Sequence, residues 1–137
     1  MHREDKDGNA VTTPSELNEL TRSIIGAGIE AHRHLVPGLL ESTYETCLAY
    51  ELGQRGLAYE RQKALPLIYK EVHLDQGYKA DVLVEGKVIV EIKVVDQFTP
   101  VHEAQVLSYL RLSGCRIGLL LNFDAELLED GVRRFVM

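Results

Sequence analysis

YKADVLVEGKVIVEIKVV, residues 78–95, is the stretch on which the fold turns. A β-strand points alternate side chains to opposite faces. In the second half, Val88, Val90, Ile92 and Val94 make one wholly apolar face, and Lys87, Ile89, Glu91, Lys93 and Val95 make the other. In the first half, Tyr78, Ala80, Val82 and Val84 make the apolar face, and Lys79, Asp81, Leu83 and Glu85 the other. The two apolar faces must lie on the same side of the sheet. A two-residue turn at Glu85-Gly86 would put them on opposite sides. A three-residue loop, Glu85-Gly86-Lys87, pairs Val84 with Val88 and aligns them. That register sets Asp81 opposite Glu91, with Lys93 two residues further along the same face.

Directly opposed residues have Cβ atoms about 4.5–5.5 Å apart, and like charges so placed destabilise a sheet. At ~4 Å and an effective dielectric near 20 the repulsion is on the order of 4 kcal/mol. A cation should compensate. Lys93 supplies part of it. A hard divalent ion, which prefers carboxylate and carbonyl oxygen, supplies more, with the Ile92 carbonyl as a further ligand. The spacing Asp-x9-Glu-x-Lys is equally that of an exposed acidic hairpin carrying an ion pair to Lys93 or Lys79, and the spacing alone does not choose.

Working outward, residues 1–14 have no periodicity and read as a disordered tail, leaving 15–137 as a single domain. Ser15 reads as a helix cap. Leu17, Leu20, Ile24, Ala27, Ala31 and Leu35 then form one apolar stripe of a helix over about 16–34, ended by Pro37-Gly38. A second helix over 38–53 carries Leu40, Tyr44, Cys47, Leu48 and Leu52. Strands follow near 57–62 and 65–70, ahead of the central pair. A helix over 100–113 opens at Thr99-Pro100 and closes at Gly114. CRIGLLLN, residues 115–122, reads as a strand buried on both faces. A short helix near 125–130 and a strand near 132–136 complete the chain. The order predicts an α/β sandwich: a mixed central sheet flanked by helices, with strand 87–95, helix 100–113 and strand 115–122 forming a βαβ unit whose strands are parallel.

The chain has 137 residues, the size of one domain able to bury a core. No apolar run approaches the ~20 residues of a membrane span, and Met1 to Pro14 lacks the apolar segment of a secretory signal. No membrane role is therefore expected, and a cytoplasmic location is. Two cysteines, Cys47 and Cys115, are too few for a disulfide scaffold and read as small buried hydrophobes. Net charge is -6, from 15 Lys plus Arg against 21 Asp plus Glu. That balance excludes a broad basic nucleic-acid surface, so any such partner must be met at a small local site or through metal ions. His32 and His34 are two apart on a helix and do not form a metal pair.

Several short motifs add to this reading. Ala80-Asp81 followed by Glu91-Ile92-Lys93 resembles the D…(D/E)XK core of the PD-(D/E)XK nuclease superfamily. Gly38-Leu39-Leu40-Glu41-Ser42-Thr43-Tyr44 is similar to the signature of the small bacterial GxxExxY proteins, a branch of that superfamily. Gln105-Val106-Leu107-Ser108-Tyr109 resembles the Q-x-x-x-Y motif of exonuclease-like members, and Leu119-Leu120-Leu121-Asn122-Phe123 is similar to a run in the GxxExxY group. The motifs span about residues 16–137 in the same order. Ala80 replaces the usual proline, and Val36 stands where that group has glycine.

The resemblance implies a restriction-endonuclease-like core and metal-dependent hydrolysis of phosphodiester bonds, in DNA before RNA, with weak sequence specificity. It implies that Asp81, Glu91 and Glu41 hold Mg²⁺ or Mn²⁺ with the Ile92 carbonyl, that Lys93 positions the attacking water, and that Gln105, Tyr109 and Tyr44 shape the site. Read without it, Glu41 shares a stripe with Tyr44 and Leu48, or else it simply stabilises the N-terminus of its own helix. Gln105 and Tyr109 share one helical face. A second function stays open: a nuclease fold that no longer cuts and serves as an interaction or assembly module. A homodimer or a protein partner is compatible with either.

Overall fold

The computed structural model describes residues 3–4, 10–74 and 77–137. Strands β1 (Arg3–Glu4) and β2 (Ala10–Val11) pair antiparallel ahead of the domain. Of the tail expected over 1–14, residues 1–2 and 5–9 lie outside the described residues, and Pro14 already belongs to the first helix. Helices α1 (Pro14–Arg33) and α2 (Glu41–Gln54) follow, then strands β3 (Tyr59–Ala64), β4 (Leu67–Tyr69), β5 (Val72–Leu74), β6 (Lys79–Val84) and β7 (Val88–Lys93). Helix α3 (Pro100–Ser113), strand β8 (Ile117–Asn122), a 3-10 turn (Leu128–Gly131) and strand β9 (Val132–Val136) close the chain.

The central hairpin has the register that parity demands. Val84 pairs with Val88 and Val82 with Val90. The Lys87 N–H closes the turn onto the Val84 carbonyl at 2.9 Å, and Glu85 and Gly86 take φ of 54° and 65°. Around this pair the sheet runs β3-β6-β7-β8-β9. Only β7 and β8 are parallel, as the βαβ reading requires, and every residue of β8 is buried.

Helices cover both faces. Ile24, Ala27 and Ala31 of α1 and Tyr44, Leu48 and Leu52 of α2 pack against Val82, Val84, Val88, Val90, Ile92, Leu119 and Leu121. Val106, Tyr109 and Leu110 of α3 pack against Leu83, Ile89 and Leu120. Gly118 lets α3 come this close to β8: a Cβ there would meet the Val106 side chain at 2.6 Å. That approach fixes the height of the neighbouring Gln105 above the sheet. Helix α3 begins and ends as read, with the Thr99 N–H bonded to His102 Nδ1 at 3.1 Å and Gly114 left-handed at φ 76°.

Several expectations need correction. The cap of α1 is Thr13, which accepts from the Glu16 N–H at 3.2 Å while its own N–H donates to the Glu16 carboxylate. Ser15 lies inside the helix. The strand expected at 65–70 is a hairpin, β4 and β5, turning at Lys70, a lysine with φ 54° where glycine or asparagine is the usual signal. The last helix is only a 3-10 turn. Cys47 and Cys115 are half-buried. Ala80 does not share a face with Val82; it joins Leu83 and Ile89 under α3, so strict alternation fails at Asp81.

Candidate active site

The failure at Asp81 is where the site forms. One step beyond Val82 and Val90 the β6–β7 ladder stops, and side chains take its place. The Asp81 N–H donates to Glu91 Oε2 at 2.6 Å, and the Ile92 N–H donates to Asp81 Oδ2 at 2.8 Å. Each carboxylate thus replaces a strand carbonyl as acceptor, commits one oxygen, and keeps the other. Glu91 is only 2% exposed.

Burial makes both acids hard to ionise. Asp81 is raised above the usual carboxylate range, mainly by desolvation, against the pull of the Ile92 N–H. Glu91 is pushed up to about 8, by burial first and by the Asp81 charge second. Lys93 lowers both and does not cancel the rise.

Lys93 follows two residues after Glu91 and is aimed from α3. Its Nζ donates to Gln105 Oε1 at 3.0 Å, and Gln105 Nε2 donates to the Tyr109 hydroxyl at 3.2 Å. The four-residue helical step makes this possible. The Tyr109 phenol is raised, again chiefly by burial. The backbone of Lys93 is tied as well: the Phe123 N–H donates to its carbonyl at 2.9 Å. Just beyond, Asn122 donates to the Val95 carbonyl at 2.7 Å and accepts from the Val95 N–H at 3.2 Å.

The helix supplies a second acid beyond the sequence reading. Glu41 is the first residue of α2 and is exposed, at the open end of the face that carries Tyr44, Glu45 and Leu48. One turn on, Glu45 is 6% exposed and its charge raises both Asp81 and Glu91. Glu45 Oε2 accepts from Arg61 Nε at 2.8 Å and Oε1 from Gln62 Nε2 at 2.7 Å. Glu45 carried a sequence signal, because Glu45, Leu48, Ala49 and Leu52 recur at three- and four-residue steps. Tyr44 is buried, stacked on Phe123. Its hydroxyl donates to the Val36 carbonyl at 2.7 Å and accepts from the Leu39 N–H at 3.2 Å, which pins the loop before α2. His32 is set against Phe123 and bonds the Ala125 carbonyl at 2.8 Å.

The donor chemistry suits a hard cation. Asp81 and Glu91 offer carboxylate oxygen in a buried setting that disfavours their bare charges, and a divalent ion bound by one or two carboxylates plus water is the usual Mg²⁺ arrangement. Among the described residues, no three Asp, Glu, His or Cys side chains are grouped to hold an ion by themselves.

A mixed five-stranded sheet flanked by helices, with two acids and a lysine where its central hairpin parts, defines an α/β protein of the restriction-endonuclease-like class. The chain belongs to the PD-(D/E)XK nuclease superfamily, whose family profile matches residues 18–135. Neither the comparison with curated proteins nor that with solved structures gave a match. Nucleases of this superfamily generally use divalent metals, and their substrate is nucleic acid. Among the described residues, no helix is long and apolar enough to cross a membrane.

Proposed function

We propose that this protein is a metal-dependent phosphodiesterase of nucleic acid, acting on DNA before RNA, and that it falls in the GxxExxY branch of its superfamily. One observation carries the reading: Asp81 and Glu91 interlock through backbone N–H groups at the opening of β6 and β7, with the Lys93 ammonium held beside them by Gln105.

In this reading Asp81, Glu91 and the Ile92 carbonyl hold Mg²⁺ or Mn²⁺. The chemistry supplied by such an ion is Lewis acidity, which stabilises charge at a phosphoryl oxygen and makes water easier to deprotonate. Lys93 presents its Nζ to the substrate, orients the attacking water and offsets the negative charge that builds in the transition state. Gln105 fixes that ammonium, and Tyr109 fixes Gln105. Glu41, exposed at the start of α2 on the face that carries Glu45, adds a ligand to the ion or to its bound water, and the acid that biases the centre is Glu45. The acidic surface implies that grip on nucleic acid is local and sequence specificity weak. A homodimer or protein partner would enlarge that grip.

The test is cleavage of single- and double-stranded DNA and RNA with Mn²⁺, beside Lys93→Ala. The expected result is cleavage of at least one DNA substrate, lowered about 10²–10³-fold in kcat by Lys93→Ala with an unchanged metal-free melting temperature. No cleavage of any substrate by a chain that binds Mn²⁺ would leave the fold as a scaffold for assembly.

A further inference from the structure

Gln62 holds a conformation that no turn in its strand requires. It sits inside β3 with φ 50°, in the left-handed region. The two other described non-glycine residues with positive φ, Lys70 and Glu85, lie in hairpin turns, where tight geometry asks for it. No turn surrounds Gln62. No residue is inserted either, because Arg61 pairs with Val82 and Lys63 with Ala80 in one continuous register. Gln62 lies opposite Asp81, where the alternation of β6 also fails. A bulky side chain held in this region is strained and persists only where its surroundings over-determine it.

The side-chain amide shows what holds it there. Gln62 Nε2 donates to Glu45 Oε1 at 2.7 Å and also reaches Asp81 Oδ1 at 3.4 Å, the oxygen that Asp81 does not commit to Ile92. Both Glu45 oxygens are engaged, since Arg61 Nε also donates to Oε2 and Arg61 braces Thr46 with Nη2 at 2.8 Å. Glu45 is therefore an anchor in this arrangement. Helix α2 holds Glu45, Glu45 holds the amide, and the amide faces the open oxygen of Asp81.

We propose that Gln62 is a positioning residue of the cation site: its strained backbone places one amide between Glu45 and Asp81, aiming Asp81 Oδ1 at the ion. The inference rests on the metal-site reading above. Partners of this kind set ligand orientation, and their loss typically costs 10–100-fold in metal affinity.

The experiment is Mn²⁺ titration of the full chain, followed by electron paramagnetic resonance of the free ion, with thermal melts of the metal-free proteins. Wild type is compared with Gln62→Gly, Gln62→Ala and Asp81→Ala. Glycine removes the amide and relieves the backbone; alanine removes the amide and keeps the strain. The expected result is a Mn²⁺ dissociation constant raised about tenfold in both Gln62 variants. Metal-free Gln62→Gly should melt no lower than wild type and above Gln62→Ala. Unchanged affinity in both variants overturns the proposal. So does a Gln62→Gly protein whose melting temperature falls along with its affinity, because Gln62 is then only structural. Wild type that takes up no Mn²⁺, or takes it up as well as Asp81→Ala does, overturns the metal-site reading and the inference with it.

Discussion

The two ends of the β6–β7 hairpin are built from the same strands and serve opposite ends. At the turn, Val82, Val84, Val88, Ile89 and Val90 are buried and paired residue by residue. At the open end, Asp81 and Glu91 have displaced the ladder, and their carboxylates accept from the Ile92 and Asp81 N–H groups in turn. The boundary falls between one pair of valines and the next pair of acids. The apolar end provides the burial that lets the acidic end exist, for two unpaired carboxylates on an isolated hairpin would repel and solvate.

This contrast can be broken from the apolar side with the largest effect on stability. Ile89 is fully buried between β7 and α3. Ile89→Ala should cost about 2–5 kcal/mol in denaturant unfolding, with Mn²⁺ affinity of the folded fraction retained. A large loss of affinity at unchanged stability would show that the two ends are not separable.

The acidic side is sharpened by pH. The folded chain keeps the Glu91 proton up to about pH 8, while an unfolded chain releases it near 4.5. A group raised in the folded state contributes stability that is complete below the unfolded value and is lost as pH rises through the folded one. Metal-free protein should therefore melt progressively lower between about pH 5 and 8. Glu91→Gln should flatten that slope and gain on the order of 4 kcal/mol at most at the upper end. Millimolar Mn²⁺ should restore wild-type stability at pH 8 and leave Glu91→Gln less affected. A melting temperature that rises over this interval in the metal-free wild type would contradict the assignment.

The smallest effect belongs to the turn. Gly86 has φ 65° with open space where a Cβ would stand, so Gly86→Ala meets no atoms and only a disfavoured backbone. About 1–2 kcal/mol of stability should be lost, with no change in cleavage or in metal affinity. A shift in either would show that strain at the turn reaches the acids.

Much of this was legible in the sequence, for specific reasons. Parity of the apolar faces sufficed for the loop at Glu85-Gly86-Lys87, because a slip of one residue would have buried the lysines. Thr99-Pro100 and Gly114 bounded α3 to the residue. Lys93, Gln105 and Tyr109 are brought together as helical and strand periods require. The rest depended on the rotation of α2, whose buried face runs through Tyr44, Glu45, Leu48, Ala49 and Leu52 while Leu40 is 74% exposed. Leu40 belonged to the expected stripe, but it caps the helix from outside and stays off that face. Gln62 and Lys70 adopt left-handed backbones that no propensity assigns to glutamine or lysine, so neither the break in β3 nor the turn between β4 and β5 was announced. Ala80, small and apolar, fits either face of the sheet and gave no sign of the switch at Asp81.

The grip of Asn122 on both backbone groups of Val95 has a practical consequence. Lys93 is steered from two directions, by a glutamine on the helix above and by a neighbouring strand that fastens the chain just after it. Turnover can then be dialled from outside the acidic centre: loosening the fastener slackens the lysine while every charged group stays in place, offering an engineer a throttle that is separate from the ignition.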